Sequence, residues 1–307
     1  MQKVVWDMDP GIDDALALIL ALKSPEIQVL GITTVAGNAP VEVTSANARR
    51  VLECLGAGDS IPVAMGAASP LNQPLEHVLS HHGLDGLGQC GLPAPVTPLF
   101  PAKAWDFLAQ LVLDAPGELT LVATGPLTNL AYALELHREL PELLAKLVLM
   151  GGAYGLTPHG KGNRTPFAEF NVWQDPEAAH IVFNSAADIF VVGLDVTMDP
   201  AACLNGQHLK QIKAKYTPAA RLAAQLVEYE VKHHGCCRMH DPLALATLLD
   251  ASLFDFISAG VEVVKENDWD RGVTHILFSG SSQLRHVASA VDGPRFLKLF
   301  LSRILEE

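Results

Sequence analysis

The chain has 307 residues, 49% of them hydrophobic and 18% charged, with 34 acidic against 21 basic side chains. A formal net charge of -13 argues against a nucleic-acid groove, which needs clustered Lys and Arg. The longest uninterrupted apolar run, residues 15–22, is far short of the roughly 20 that span a bilayer, which excludes a transmembrane protein.

In chain order, short β-branched runs alternate with longer helical patterns. Val4-Val5-Trp6 predicts a strand and residues 15–22 an apolar helix; residues 27–35 predict a second strand and residues 45–52 a helix. Residues 61–64 predict a third, short strand. Two more follow at 118–123 and 147–150, separated by a helix at 130–140, and Ile189-Phe190-Val191-Val192 gives another. A helix precedes that strand, with Asp175 as its cap and Pro176 at its first position. Residues 205–232 read as helical, 260–278 as strands and 294–305 as a closing helix. This alternation predicts the α/β class: an open, mainly parallel β-sheet with helices on both faces, a Rossmann-like core, in a single domain over residues 1–307. The Pro- and Gly-rich segment 67–101 breaks the rhythm and reads as a long functional or disordered loop.

Five cysteines (Cys54, Cys90, Cys203, Cys236, Cys237) make an odd count with no C-x-x-C pair, and adjacent Cys236-Cys237 suits neither zinc nor a disulfide. Free thiols are expected. With no signal-peptide pattern after Met1, this points to a reducing cytoplasm.

The polar residues fall in clusters. Asp7-Met8-Asp9-Pro10-Gly11-Ile12-Asp13-Asp14 follows the first predicted strand, and Thr33-Thr34-Val35-Ala36-Gly37-Asn38 closes the second. Thr124-Gly125-Pro126-Leu127-Thr128-Asn129 and Gly151-Gly152 follow two others. Open parallel sheets place their ligand crevice at these carboxyl ends. Four aspartates in eight residues repel one another unless a cation or strong donors compensate them, and an all-oxygen set suits Ca²⁺ or Mg²⁺.

The run from Asp7 to Ala15 resembles the N-terminal fingerprint of the nucleoside hydrolases, the inosine-uridine preferring N-ribohydrolase family. The resemblance continues through Asn38, His82-Gly83-Leu84-Asp85-Gly86-Leu87-Gly88 and Gly125-Pro126-Leu127-Thr128-Asn129. It also takes in Gly162-Asn163-Arg164-Thr165-Pro166, Ala168-Glu169-Phe170-Asn171 and His240-Asp241-Pro242, and so covers nearly the whole chain. It implies a calcium-dependent hydrolase that cleaves ribonucleosides to ribose and free base, as a homodimer or homotetramer. Carried over, Asp9, Asp14, Asp241 and the Thr124 carbonyl would hold calcium, and Asp9 would accept the proton of the attacking water. Asp13, Asn38, Asn163, Glu169 and Asn171 would bind ribose hydroxyls, and Met150 and Phe170 would line the sugar pocket. His240 would protonate or orient the departing base, with His82 in contact with it. Such a reaction passes through an oxocarbenium-like state that a carboxylate-rich pocket stabilises.

Other features are less decisive. Tyr229 is placed to stack on the base or to pack in the core. The Gly151 to Gly162 segment lacks a phosphate-loop Lys-Ser or Lys-Thr and is expected to cover the sugar site. His233-His234 reads as a surface pair. Met8, Arg164 and the segment from Trp269 to Arg285 depart from the family pattern and leave base preference open. Two alternatives remain: a magnesium-dependent phosphohydrolase of the haloacid dehalogenase type, using Asp7-Met8-Asp9, and a non-catalytic calcium-dependent nucleoside-binding protein.

Overall fold

The first strand shows how the sheet is covered. In β1 (Gln2–Met8), Val4, Trp6 and Met8 join one hydrophobic cluster and Val5 the other. β4 (Leu119–Ala123) and β5 (Lys146–Met150) divide in the same way: Val122, Val148 and Met150 face the first cluster, Leu121 and Leu147 the second. Alternate side chains leave opposite faces of a strand, so near-continuous apolar runs suit a parallel sheet with helices on both sides. These features come from a computed structural model that describes residues 1–76, 81–266, 269–281 and 283–306.

β2 (Ile27–Thr34), β3 (Val63–Met65), β6 (Ile189–Val192), β7 (Phe254–Val263), β8 (Thr274–Leu277) and β9 (Arg285–Val291) complete a nine-stranded sheet in the order β3-β2-β1-β4-β5-β6-β9-β7-β8. Strands β3 to β9 in that spatial order pair in parallel, whereas β7 runs antiparallel to both of its neighbours. Helices Ile12–Leu22, Val41–Cys54, Pro218–His234, His240–Leu249 and Gly293–Leu305 cover the Trp6 face; Ala104–Asp114, Thr128–Leu136 and Pro176–Phe183 cover the other. Strand order reverses between β1 and β4, and a crevice opens beyond their carboxyl ends. No helix among the described residues is long and apolar enough to cross a membrane.

The structure corrects several expectations. Helix Ala104–Asp114 was not predicted, and β7 begins at Phe254 rather than at residue 260. The 205–232 stretch is two helices, Gly206–Lys213 and Pro218–His234, broken where Thr217 caps the second and Pro218 takes its first position. Cys203 and Cys236 are disulfide-bonded, against the expectation of free thiols. An isolated antiparallel bridge between Leu204 and Cys237 brings the two segments together, a contact that spacing along the chain does not reveal. The argument from thiols to a reducing compartment therefore fails.

β9 enters the sheet through a buried arginine. Arg285 is 2% exposed, and its guanidinium donates to the carbonyls of Phe183 (Nε, 3.0 Å), Ala187 (2.9 Å) and Ser185 (2.6 Å). These carbonyls lie at and beyond the end of helix Pro176–Phe183, where backbone acceptors lack intrahelical donors. Arg285→Ala is expected to lower unfolding free energy by about 3 kcal/mol, because several buried acceptors lose their donor at once. Urea unfolding monitored by circular dichroism measures this; an unchanged midpoint would show that these bonds add no net stability.

Candidate active site

Asp9 leaves β1 directly and is fully buried. Pro10-Gly11 then turns the chain into helix Ile12–Leu22, so Asp13 and Asp14 stand in its first turn. The Gly11 N–H donates to Asp14 Oδ2 at 3.0 Å, and the Asn38 backbone N–H, from beyond β2, donates to Asp9 Oδ2 at 2.7 Å. Glycine at two positions makes room for Asp9: a Cβ at Gly125 would lie 2.8 Å from its Oδ1, and one at Gly37 would collide with its Oδ2. Thr124, at the end of β4, accepts from the Trp6 indole N–H at 3.0 Å and donates to Asp14 Oδ1 at 2.8 Å. Asp241 arrives in the first turn of helix His240–Leu249. Met239 holds the cap position there, and no side chain caps the helix.

Carboxylate oxygens of Asp13, Asp14 and Asp241 lie within 4.8 Å of one another. Asp9 Oδ1 and Asp13 Oδ1 are buried without a hydrogen-bond partner among the described residues. Burial, with the neighbouring acids, pushes Asp9 and Asp241 well above the usual carboxylate range and Asp14 up to about 7. Spare oxygen lone pairs converging on one point fit a hard divalent cation, and carboxylates plus a backbone carbonyl are the donor set calcium takes. The Thr124 carbonyl accepts one hydrogen bond, from Asn171 Nδ2 at 3.0 Å, and keeps a second lone pair. Asp7 is different. Thr33 (2.6 Å) and Asn129 (2.8 Å) hold its Oδ1 inside the sheet, away from the accessible position that a phosphohydrolase nucleophile needs.

A cavity of about 330 Å³ opens beside the acids. Of the predicted site residues, Asp13, Asn38, His82, Thr124, Met150, Asn163, Glu169, Phe170, Asn171, His240 and Asp241 line it; Asp9 and Asp14 are buried behind that lining. Glu169 caps the short helix Phe170–Gln174. Its carboxylate accepts from the N–H groups of Asn171 (2.8 Å), Val172 (3.0 Å) and Gly152 (3.1 Å). Asn163 Oδ1 accepts from the Phe170 N–H at 2.8 Å. His82 Nδ1 accepts from the Ile12 N–H at 3.2 Å, which leaves its proton on Nε2. His240 Nδ1 lies 2.8 Å from Thr197 Oγ1. Burial pushes both histidines down to about 4, so both imidazoles are neutral near pH 7.

Tyr229 is absent from the lining. It is half-buried on helix Pro218–His234, where it packs on the Gly83–Gly88 turn and on His233 at 4.2 Å between rings. The Gly151 to Gly162 segment also contributes no lining residue. Asp195 tethers it, accepting from the N–H groups of Tyr154 (2.8 Å) and Leu156 (2.6 Å), so it is an anchored loop rather than a free cover. The 67–101 segment, whose residues 77–80 lie outside the described ones, is tied down where Asn47 Nδ2 donates to the Asp85 carbonyl at 2.9 Å. The divergent segment after Trp269 braces the sugar side. Arg164 and Arg271 place their guanidinium groups 4.2 Å from the Trp173 ring on either count, and Gly272, at φ +76°, packs on the Trp173 backbone.

Sequence reasoning did not single out Ile12, Met198, Glu230 or Arg238, all of which line the cavity, and gave a role to His82 but none to its neighbour His81, which lines it too. Glu230 carried a readable signal: it continues the apolar stripe of Leu222, Ala223, Leu226 and Val227, an acid on the inner face of a helix.

The profile of the family described as inosine-uridine preferring nucleoside hydrolase matches residues 4–298. The chain belongs to that family. Among similar sequences are the pyrimidine-specific ribonucleoside hydrolase RihA of Citrobacter koseri, 37% identical over 98% of this chain and 97% of that protein, and its namesake in Shewanella sp. strain MR-7, 40% identical over 88% and 85%. Solved nucleoside hydrolases superpose closely. A purine-preferring ribonucleoside hydrolase from Gardnerella vaginalis has a TM-score of 0.92 at 33% identity, covering 99% of this chain and 98% of that one. A plant nucleoside hydrolase, PpNRh1, has a TM-score of 0.91 at 32% identity, covering 100% and 99%.

In this nucleoside hydrolase the Thr124 hydroxyl joins the buried Trp6 indole to Asp14 of the acid cluster. Thr124→Val, which keeps the shape and removes the hydroxyl, is expected to lower unfolding free energy by about 2–4 kcal/mol, since two buried partners are orphaned. Thr124→Ser is expected to stay close to wild type, with urea unfolding as the measurement for both variants. Equal stability of the Val and Ser variants would show that the hydroxyl's two bonds contribute nothing.

Proposed function

We propose that residues 1–307 act as one calcium-dependent ribonucleoside hydrolase, which cleaves the N-glycosidic bond to give ribose and free base. The observation that carries this reading is the cluster of Asp13, Asp14 and Asp241 oxygens beside the cavity, with the Asp9 and Asp13 Oδ1 atoms buried and unpartnered among the described residues. Calcium held by Asp9, Asp14, Asp241 and the Thr124 carbonyl would supply the positive charge that polarises oxygen ligands. Asp9, whose Oδ1 has no hydrogen-bond partner among the described residues, accepts a proton from the attacking water. Asp13, Asn38, Asn163, Glu169 and Asn171 hold the ribose hydroxyls, and Met150 and Phe170 pack on the sugar. Glu169 is already fixed by three amide N–H donors, so it meets a hydroxyl without reorganising. As positive charge develops at the anomeric carbon, the surrounding carboxylates stabilise it.

His240 is neutral. With Nδ1 paired to Thr197 Oγ1, it turns Nε2 to the departing base, and His82 adds an Nε2–H. Similarity to pyrimidine-specific relatives supports uridine and cytidine as preferred substrates.

Reducing-sugar release from uridine, cytidine, inosine and adenosine, with calcium and after chelation, tests this reading. Faster turnover of the two pyrimidine nucleosides is expected, with loss of all turnover on chelation; chelator-resistant release would sink the calcium requirement. Asp9→Asn is expected to lower kcat by about a thousandfold, the scale of a positioned base. Near-normal release by that variant would remove Asp9 from the role. His240→Ala is expected to slow some nucleosides more than others, and an equal, mild effect on all four would argue that His240 does not contact the leaving base.

A further inference from the structure

The cavity wall carries a second group of donors that the proposed reaction leaves unused. Glu230 lines the cavity, is 5% exposed, and has a buried Oε1 with no hydrogen-bond partner among the described residues. One helical turn later, His234 Nε2 stands 3.9 Å from that oxygen. His81 comes from the 67–101 loop and stacks on His234, with ring centroids 4.5 Å apart at an interplanar angle of 26°. Donor atoms of the three side chains all lie within 4.8 Å of one another.

We infer that His81, Glu230 and His234 form a second divalent-metal site, of the zinc class, separate from the aspartate cluster. Two imidazoles and one carboxylate are a zinc-type donor set, whereas the all-oxygen aspartate cluster suits calcium. Glu230 and His234 are four residues apart and so share one helix face. Ligands about 2.1 Å from a tetrahedral ion stand about 3.4 Å apart, so little closure is needed from the present separations. His81 and His234 are exposed, and their rings have room to supply it. Three protein ligands leave a fourth position, and His81 and Glu230 both border the cavity into which it would open. A cation here also answers an electrostatic problem: burial and the nearby Asp13 push Glu230 up to about 8, more than the opposing charge of Arg238 offsets.

The test uses the untagged protein, stripped with chelator and returned to calcium, then titrated with Co²⁺. One equivalent is expected to bind with the visible ligand-field absorption of a tetrahedral site, and Zn²⁺ is expected to displace it. Glu230→Gln and His234→Ala are each expected to weaken cobalt binding about tenfold or more, while Asp14→Asn changes it by less than about twofold. Because His234 is exposed, its variant remains informative should Glu230→Gln not fold. No cobalt signal, undiminished binding by either folded variant, or loss of binding in Asp14→Asn would each overturn the site. The last outcome would assign the ion to the aspartates. The readout is spectral, so it stands apart from any failure of nucleoside turnover.

Discussion

Four carboxylates gathered at one sheet edge have to be held together against their own charge, and much of the surrounding structure follows from that. The Gly11 and Asn38 N–H groups each supply a donor to a carboxylate, and glycine at positions 37 and 125 lets the chain close around Asp9. Donors alone do not balance the acids, since oxygens of Asp9 and Asp13 are left over. The remaining repulsion is what raises the carboxyl pKa values, and proton uptake or a cation relieves it. A line of contacts carries the demand into the core: Trp6, packed in the sheet, bonds Thr124, and Thr124 bonds Asp14. Position of the acids and packing of the first strand are therefore one problem rather than two.

The opposite wall is organised by a different means. Glu169, Asn163 and Asn171 spend hydrogen bonds on backbone groups of their own loop or of β5, which fixes their orientation before any ligand arrives. Trp173, flanked by Arg164 and Arg271, anchors that loop to the segment that follows β7. Preorganisation of this kind avoids reorientation during the reaction, at the cost of leaving little freedom for substitution.

The sequence disclosed the parallel core because its strands are buried on both faces and read as apolar runs; β1, β4, β5 and β6 all fall within a few residues of expectation. β9 was hidden by its composition. Arg285-His286-Val287-Ala288-Ser289-Ala290-Val291 has small and polar residues where a central strand usually shows Val or Ile, because Arg285 itself is the buried anchor. The aspartates and the His240-Asp241-Pro242 turn were readable as motifs, since acids at strand ends have few structural uses. The base side was less readable: Glu230, Arg238 and His81 are dispersed along the chain, and only the fold brings them to one wall. Tyr229 illustrates the converse. Its residue type fits a base contact, yet its side of the helix faces the Gly83–Gly88 turn.

Helix His240–Leu249 packs on helix Ile12–Leu22, so the first acids of the cluster and the last come from opposite ends of the chain. During synthesis, β1, β2 and β3 are all available to pair long before Asp241 exists. Pairings so distant in sequence form late, because the entropy of closing the intervening chain must be met before the contact rewards it. Asp9, Asp13 and Asp14 can thus keep their hydration through most of folding. The further repulsion that Asp241 adds arises only once β1 to β6 have been made and can pair around the other acids.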